Sequence, residues 1–172
     1  MIDIYNIQMS NRIELEEGWS KIQPNIDRLV RFLWVNPPGG TPKINSQEYL
    51  STFTQVYTMC TQKPPYNYSE QLYERSKQTV EQVFNDNVIP NLDIDPESGI
   101  TSESIKTQWS LFCIFVKWMN SFFSYLDRFH TKRQGLPSFK DMGHAVFRDY
   151  LRKSLSEDVI SELTYRQSNN LK

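Results

Sequence analysis

The side chains in this chain that could do chemistry are few. His130 and His144 are its two histidines, and Cys60 and Cys113 its two cysteines. A histidine base needs a nucleophile within hydrogen-bond reach, and neither histidine has an evident partner. A reactive thiol needs an exposed, electropositive setting. Cys60 instead shares a stripe with Tyr49 and Phe53, which points to a core. Asp93, Asp95 and Glu97 could suggest calcium, but Pro96 and the missing terminal ligand spoil an EF-hand loop. The PPGG run follows no strand and lacks the Lys-Ser/Thr continuation of a phosphate loop. There is no CxxC and no HExxH. Nothing here argues for catalysis, and neither metal nor cofactor is expected.

The aromatic residues are the better lead. They make up 13% of the chain and favour helical spacing over strict alternation. Residues 105–133, IKTQWSLFCIFVKWMNSFFSYLDRFHTKR, contain no Pro or Gly. Ile105, Trp109, Phe112, Val116, Met119, Phe123 and Leu126 alternate four and three apart, which is one stripe along a helix. Leu111, Phe115, Trp118, Phe122, Tyr125 and Phe129 form a second stripe beside it. One stripe suffices to pack a surface helix on its own core. Two stripes mean that the helix is nearly surrounded, or that one stripe meets something outside the chain.

The elements that position these residues also read as helices. Glu14 opens one whose face is Trp19, Ile22, Ile26, Leu29, Val30 and Leu33; Pro24 predicts a kink, or a start at that residue. Residues 35–45 read as a loop. Asn45 and Glu48 form a capping box for a helix to about Cys60, with Tyr49, Phe53, Val56 and Cys60 as one stripe. TQKPPYN ends it. A third helix runs from Ser69 to before Pro90, burying Leu72, Val80, Val83, Phe84 and Asn87. A polar loop spans 91–104. QGLPS is a turn, followed by a helix carrying Met142, Val146, Phe147, Tyr150 and Leu151, and then by SEDVISELTYRQ as another. The reading is five to seven helices with no strands. At 172 residues this is one domain with a real core. A net charge of −1 suggests no nucleic-acid or membrane partner. The start is no signal peptide, and no run of about 18 apolar residues exists, so a soluble chain is expected. Two reduced thiols fit the cytoplasm or nucleus.

Residues 48–90, EYLSTFTQVYTMCTQKPPYNYSEQLYERSKQTVEQVFNDNVIP, and 109–151, WSLFCIFVKWMNSFFSYLDRFHTKRQGLPSFKDMGHAVFRDYL, together resemble the first helical repeat of cullins. ELEEGWSKIQPNI is similar to the opening helix of that repeat. The segments look most like the cullin-1 class in its plant-type form. The resemblance covers roughly 14–165, between flexible ends at 1–13 and 166–172. It implies an all-α cullin-repeat bundle of about five principal helices. It also implies a non-catalytic scaffold of a ubiquitin ligase whose partner is a Skp-type adaptor carrying an F-box receptor. Carried over by motif, the adaptor-binding positions are Tyr49, Thr52, Phe53 and Tyr57 on the second helix. Tyr125, Phe122 and Arg128 join them from the later one. Thr52 stands where the motif has a bulky aliphatic, which implies about 1–2 kcal/mol less apolar burial against an unchanged partner and leaves a BTB-type adaptor as the alternative. A RING-box protein is expected only of a longer chain. The chain reads as either a fragment or a truncated cullin-like competitor for adaptor.

Overall fold

The computed structural model describes residues 12–35, 42, 44–95 and 99–154. Five principal helices organise them: α1 Leu15–Val30, α2 Ser46–Thr61, α3 Ser69–Val83, α4 Ser102–Phe122 and α5 Phe139–Ser154. α1 lies along α2, α4 lies along α5, and α3 bridges the pairs. Trp19, Ile22, Ile26 and Leu29 bury one face of α1, while Glu16 and Glu17 in its first turn and Arg28 in its last suit the helix dipole.

Two glycines set how closely the pairs approach. A Cβ on Gly18 would lie 2.1 Å from Met59 Sδ of α2. A Cβ on Gly143 of α5 would lie 2.5 Å from Val116 Cγ2 of α4. Only glycine leaves room for these neighbours.

Several expectations are met and several are corrected. The capping box forms: Glu48 N–H donates to Asn45 Oδ1 (2.9 Å) and Asn45 N–H to Glu48 Oε2 (3.1 Å). Pro24, however, does not start the helix; α1 runs through it. Pro24 and Ser20 are both exposed, so the Ser20 carbonyl left without its donor faces water. α3 continues through a π-helical turn, Phe84–Val88, into a 3-10 turn, Ile89–Asn91, that absorbs Pro90. Phe84 there meets Phe112, Phe147 and Tyr150 at centroid distances of 5.3, 5.5 and 5.5 Å.

The segment expected to be loop carries a two-residue ribbon, β1 Ile94–Asp95 antiparallel to β2 Gly99–Ile100, paired Ile94 to Ile100. Ser104 anchors it by accepting from Asp93 N–H (2.8 Å). So small a ribbon leaves the all-α class unchanged. The long helix also departs from a single rod. It starts at Ser102 under a Thr101 cap and is interrupted at Phe123 (φ −100°, ψ 20°). It resumes as a π-helical turn, Leu126–Thr131, and a last helical turn, Lys132–Gln134, before Gly135 turns left-handed at φ 64°. SEDVISELTYRQ lies outside the described residues. Among the described residues, no helix is long and apolar enough to cross a membrane.

Candidate docking surface

The core stripe of α2 is Thr52, Val56, Met59 and Cys60. Tyr49, Phe53 and Tyr57 run beside it, four residues apart. Four residues exceed one helical turn by about 40°, so this ridge drifts away from the core as it climbs. Tyr49 and Phe53 are half-buried and Tyr57 is 45% exposed. The rings stack along the ridge, Tyr49 on Phe53 at 6.3 Å and Phe53 on Tyr57 at 6.5 Å.

The far end of α4 completes the surface. Tyr125 meets Tyr57 edge-on at 5.0 Å and lies 4.6 Å from Phe129, which is 53% exposed. The π turn makes this possible. Leu126 and Thr131, five residues apart, are both buried across one i→i+5 repeat, which leaves Arg128 and Phe129 outside. Asp127 locks the turn to α5 by accepting from Phe139 N–H at 3.1 Å. Burial raises the Asp127 carboxyl from its ordinary pKa, outweighing that hydrogen bond. Tyr73 adds a second tie, its hydroxyl donating to Pro137 O at 3.0 Å.

Of the residues singled out from sequence, Tyr49, Phe53, Tyr57 and Tyr125 come together at the surface, and Arg128 is exposed on the turn that follows Tyr125. Thr52 and Phe122 do not reach that surface. Thr52 is 1% exposed; its Oγ1 accepts from Asn25 Nδ2 (2.7 Å) and donates to Glu48 O (3.0 Å). The expected loss of apolar contact with a partner at Thr52 therefore has no surface to act on. Phe122 is fully buried, supporting Tyr49 from behind at 6.4 Å. Two further residues belong to the patch. Leu50, 59% exposed, sits three residues before Phe53 on the outer flank, and Phe129 continues past Tyr125. Phe129 was visible as the last member of the second apolar stripe.

The second stripe of α4 thus divides: Phe115 and Phe122 are interior, Leu111, Trp118 and Tyr125 half-buried, Phe129 outside. Of the chemically capable residues, Cys60 and His130 line one cleft, while His144 lies on α5. Cys60 is buried, and burial pushes its thiol up to about 11. His144 packs on Trp109 at 5.0 Å, and burial lowers its pKa first, with Lys140 next. Among the described residues, no three His, Cys, Asp or Glu side chains gather to hold a metal.

Residues 19–167 match the family described as the cullin alpha solenoid domain. Cullin-1 of Oryza sativa subsp. japonica is 36% identical over 149 residues, 87% of this chain and 20% of that protein. Putative cullin-like protein 1 of Arabidopsis thaliana is 31% identical over 164 residues, 94% of this chain and 22% of that protein. Putative cullin-like protein 2 of the same plant is 30% identical over 171 residues, 96% of this chain and 44% of its own length. The chain spans about a fifth of the length of the first two. With the match running from α1 through α5, the chain belongs to the cullin family and is similar to its cullin-1 class.

Proposed function

We propose that this chain is the adaptor-docking domain of a cullin scaffold in a ubiquitin ligase, with a Skp-type adaptor carrying an F-box receptor as its partner. The scaffold performs no chemistry of its own. The observation that carries this reading is the ladder Tyr49–Phe53–Tyr57–Tyr125–Phe129, contiguous across two elements and open to solvent at its outer end. Tyrosine offers a large apolar body with a polar tip, which is why it is common among interface hot spots. Leu50 widens the apolar centre, and Arg128 supplies a charged rim. Thr52 and Phe122 contribute from beneath by fixing α2 against α1 and Tyr49 against α4.

Because Thr52 is buried, it carries no weight in choosing between a Skp and a BTB adaptor. A direct comparison decides. The chain is titrated with a purified Skp adaptor and, separately, with a BTB adaptor. Tight binding of the Skp adaptor alone, reduced by about 2 kcal/mol or more in Tyr125→Ala, supports the assignment. Binding of the BTB adaptor alone replaces it with the alternative.

A further inference from the structure

A cleft of about 390 Å³ opens where α2 ends, α3 begins and the π turn passes between them. Tyr125 and Phe129 line one side, so the aromatic ladder runs directly into it. His130, held against Tyr73 at 5.9 Å, and Arg133 line another. Glu70 is the one carboxylate among the lining residues. Glu70 belongs to the first turn of α3, whose dipole end favours negative charge and whose leading residue, Tyr68, provides no side-chain cap.

Arg133 and Glu70 are the charged lining residues, and two further cations, Arg128 and Lys132, lie on the same stretch just outside the lining. Arg128, Lys132 and Arg133 are all exposed, and among the described residues no carboxylate lies within ion-pair distance of any of them. Asp127, the carboxylate of the same stretch, is committed to Phe139 N–H. Arg133, exposed and without an ion pair among the described residues, stands in the same lining as Phe129 at the end of the apolar ridge, and that pairing matches a partner surface in which an acidic residue flanks an apolar one.

We propose that the cleft receives an acidic segment of the docked adaptor complex, with a carboxylate paired to Arg133 and an adjoining apolar side chain resting on Phe129. This rests on the docking reading above and adds the chemistry of one part of the partner. The pairing sits at the open edge of the interface, so it is sensitive to salt where the aromatic contacts are not.

The test titrates the full chain with a purified Skp adaptor–F-box complex at about 50 mM and about 500 mM salt. Arg133→Glu is expected to weaken binding about tenfold at low salt, with the gap narrowing to under about threefold at high salt. Arg133→Gln should show a smaller loss with the same trend. Tyr57→Ala should lose a similar factor at both salt concentrations, and Arg148→Glu on α5 should bind within about twofold of wild type. Circular dichroism establishes that each variant is folded. Wild-type affinity in both Arg133 variants at low salt, or a loss that salt does not change, overturns the inference and leaves the docking reading standing. Failure of the wild-type chain to bind the adaptor complex overturns both.

Discussion

Thr52 and Tyr57 sit on the same helix and do opposite things. Thr52 links α2 to α1 through Asn25, and Tyr57 points away from both. Thr52→Val keeps the shape but leaves the Asn25 amide without its acceptor. It should cost about 1–2 kcal/mol in a denaturant titration, while adaptor affinity changes little. Stability unchanged by Thr52→Val would mean that the Asn25 contact contributes nothing. Cys60 offers a second test at this scale. Its folded pKa of about 11 lies above that of an ordinary thiol. Between roughly pH 9 and pH 11 the unfolded chain therefore loses a proton that the folded chain keeps, and stability falls as pH rises through that window. The contribution is about 2–3 kcal/mol, so Cys60→Ala should show a flatter alkaline stability profile than wild type. Identical slopes would contradict the buried placement.

Helices pack here by close approach at single glycines, and the two contacts differ in how readily they yield. Gly143→Ala drives a methyl into Val116, whose branched side chain holds one rotamer in a helix. Gly18→Ala meets the end of Met59, a flexible thioether. Both replacements gain about 1 kcal/mol of helix propensity. Overpacking of about 1–3 kcal/mol should still leave Gly143→Ala net destabilising, by up to about 2 kcal/mol, and Gly18→Ala distinctly less so, as read from thermal or denaturant unfolding. The reverse order would mean that the α4–α5 contact is the looser one. Much at this scale was legible in the sequence. The capping box at Asn45 and Glu48 is a local pattern, and the stripes of α1, α2 and α5 follow from the helical repeat alone. Pro24 does not start the helix as one of its two readings had it, because the cost of an interior proline depends on where the freed carbonyl points, which only packing decides. The interruption at Phe123 and the π turn after it left no Pro or Gly to announce them.

At the scale of the whole molecule, the two faces of α2 divide its work. One face closes the core, and the adjoining aromatic ridge continues across Tyr125 and Phe129 without a break. Sequence spacing alone does not separate these faces. Tyr49 and Phe53 lie seven and three residues before Val56 and so read in its core stripe, and only the packed structure shows that Thr52, not they, closes the core. The family motif gathered all four as contacts, and the side-chain geometry sorts them again. Phe122 was harder to assign, because its stripe changes from interior to exterior within two turns as α4 leaves the bundle. What the sequence could not disclose is the cleft beside Tyr125, which exists only because α3 begins where the π turn passes.

The most direct measurement is a calorimetric titration of purified Skp adaptor–F-box complex against wild type, Tyr57→Ala and Thr52→Val, with each variant's fold verified. The outward ridge predicts that Tyr57→Ala weakens binding about 30-fold, while Thr52→Val stays within about threefold of wild type. Wild-type affinity in Tyr57→Ala, or a greater loss in Thr52→Val than in Tyr57→Ala, would contradict it.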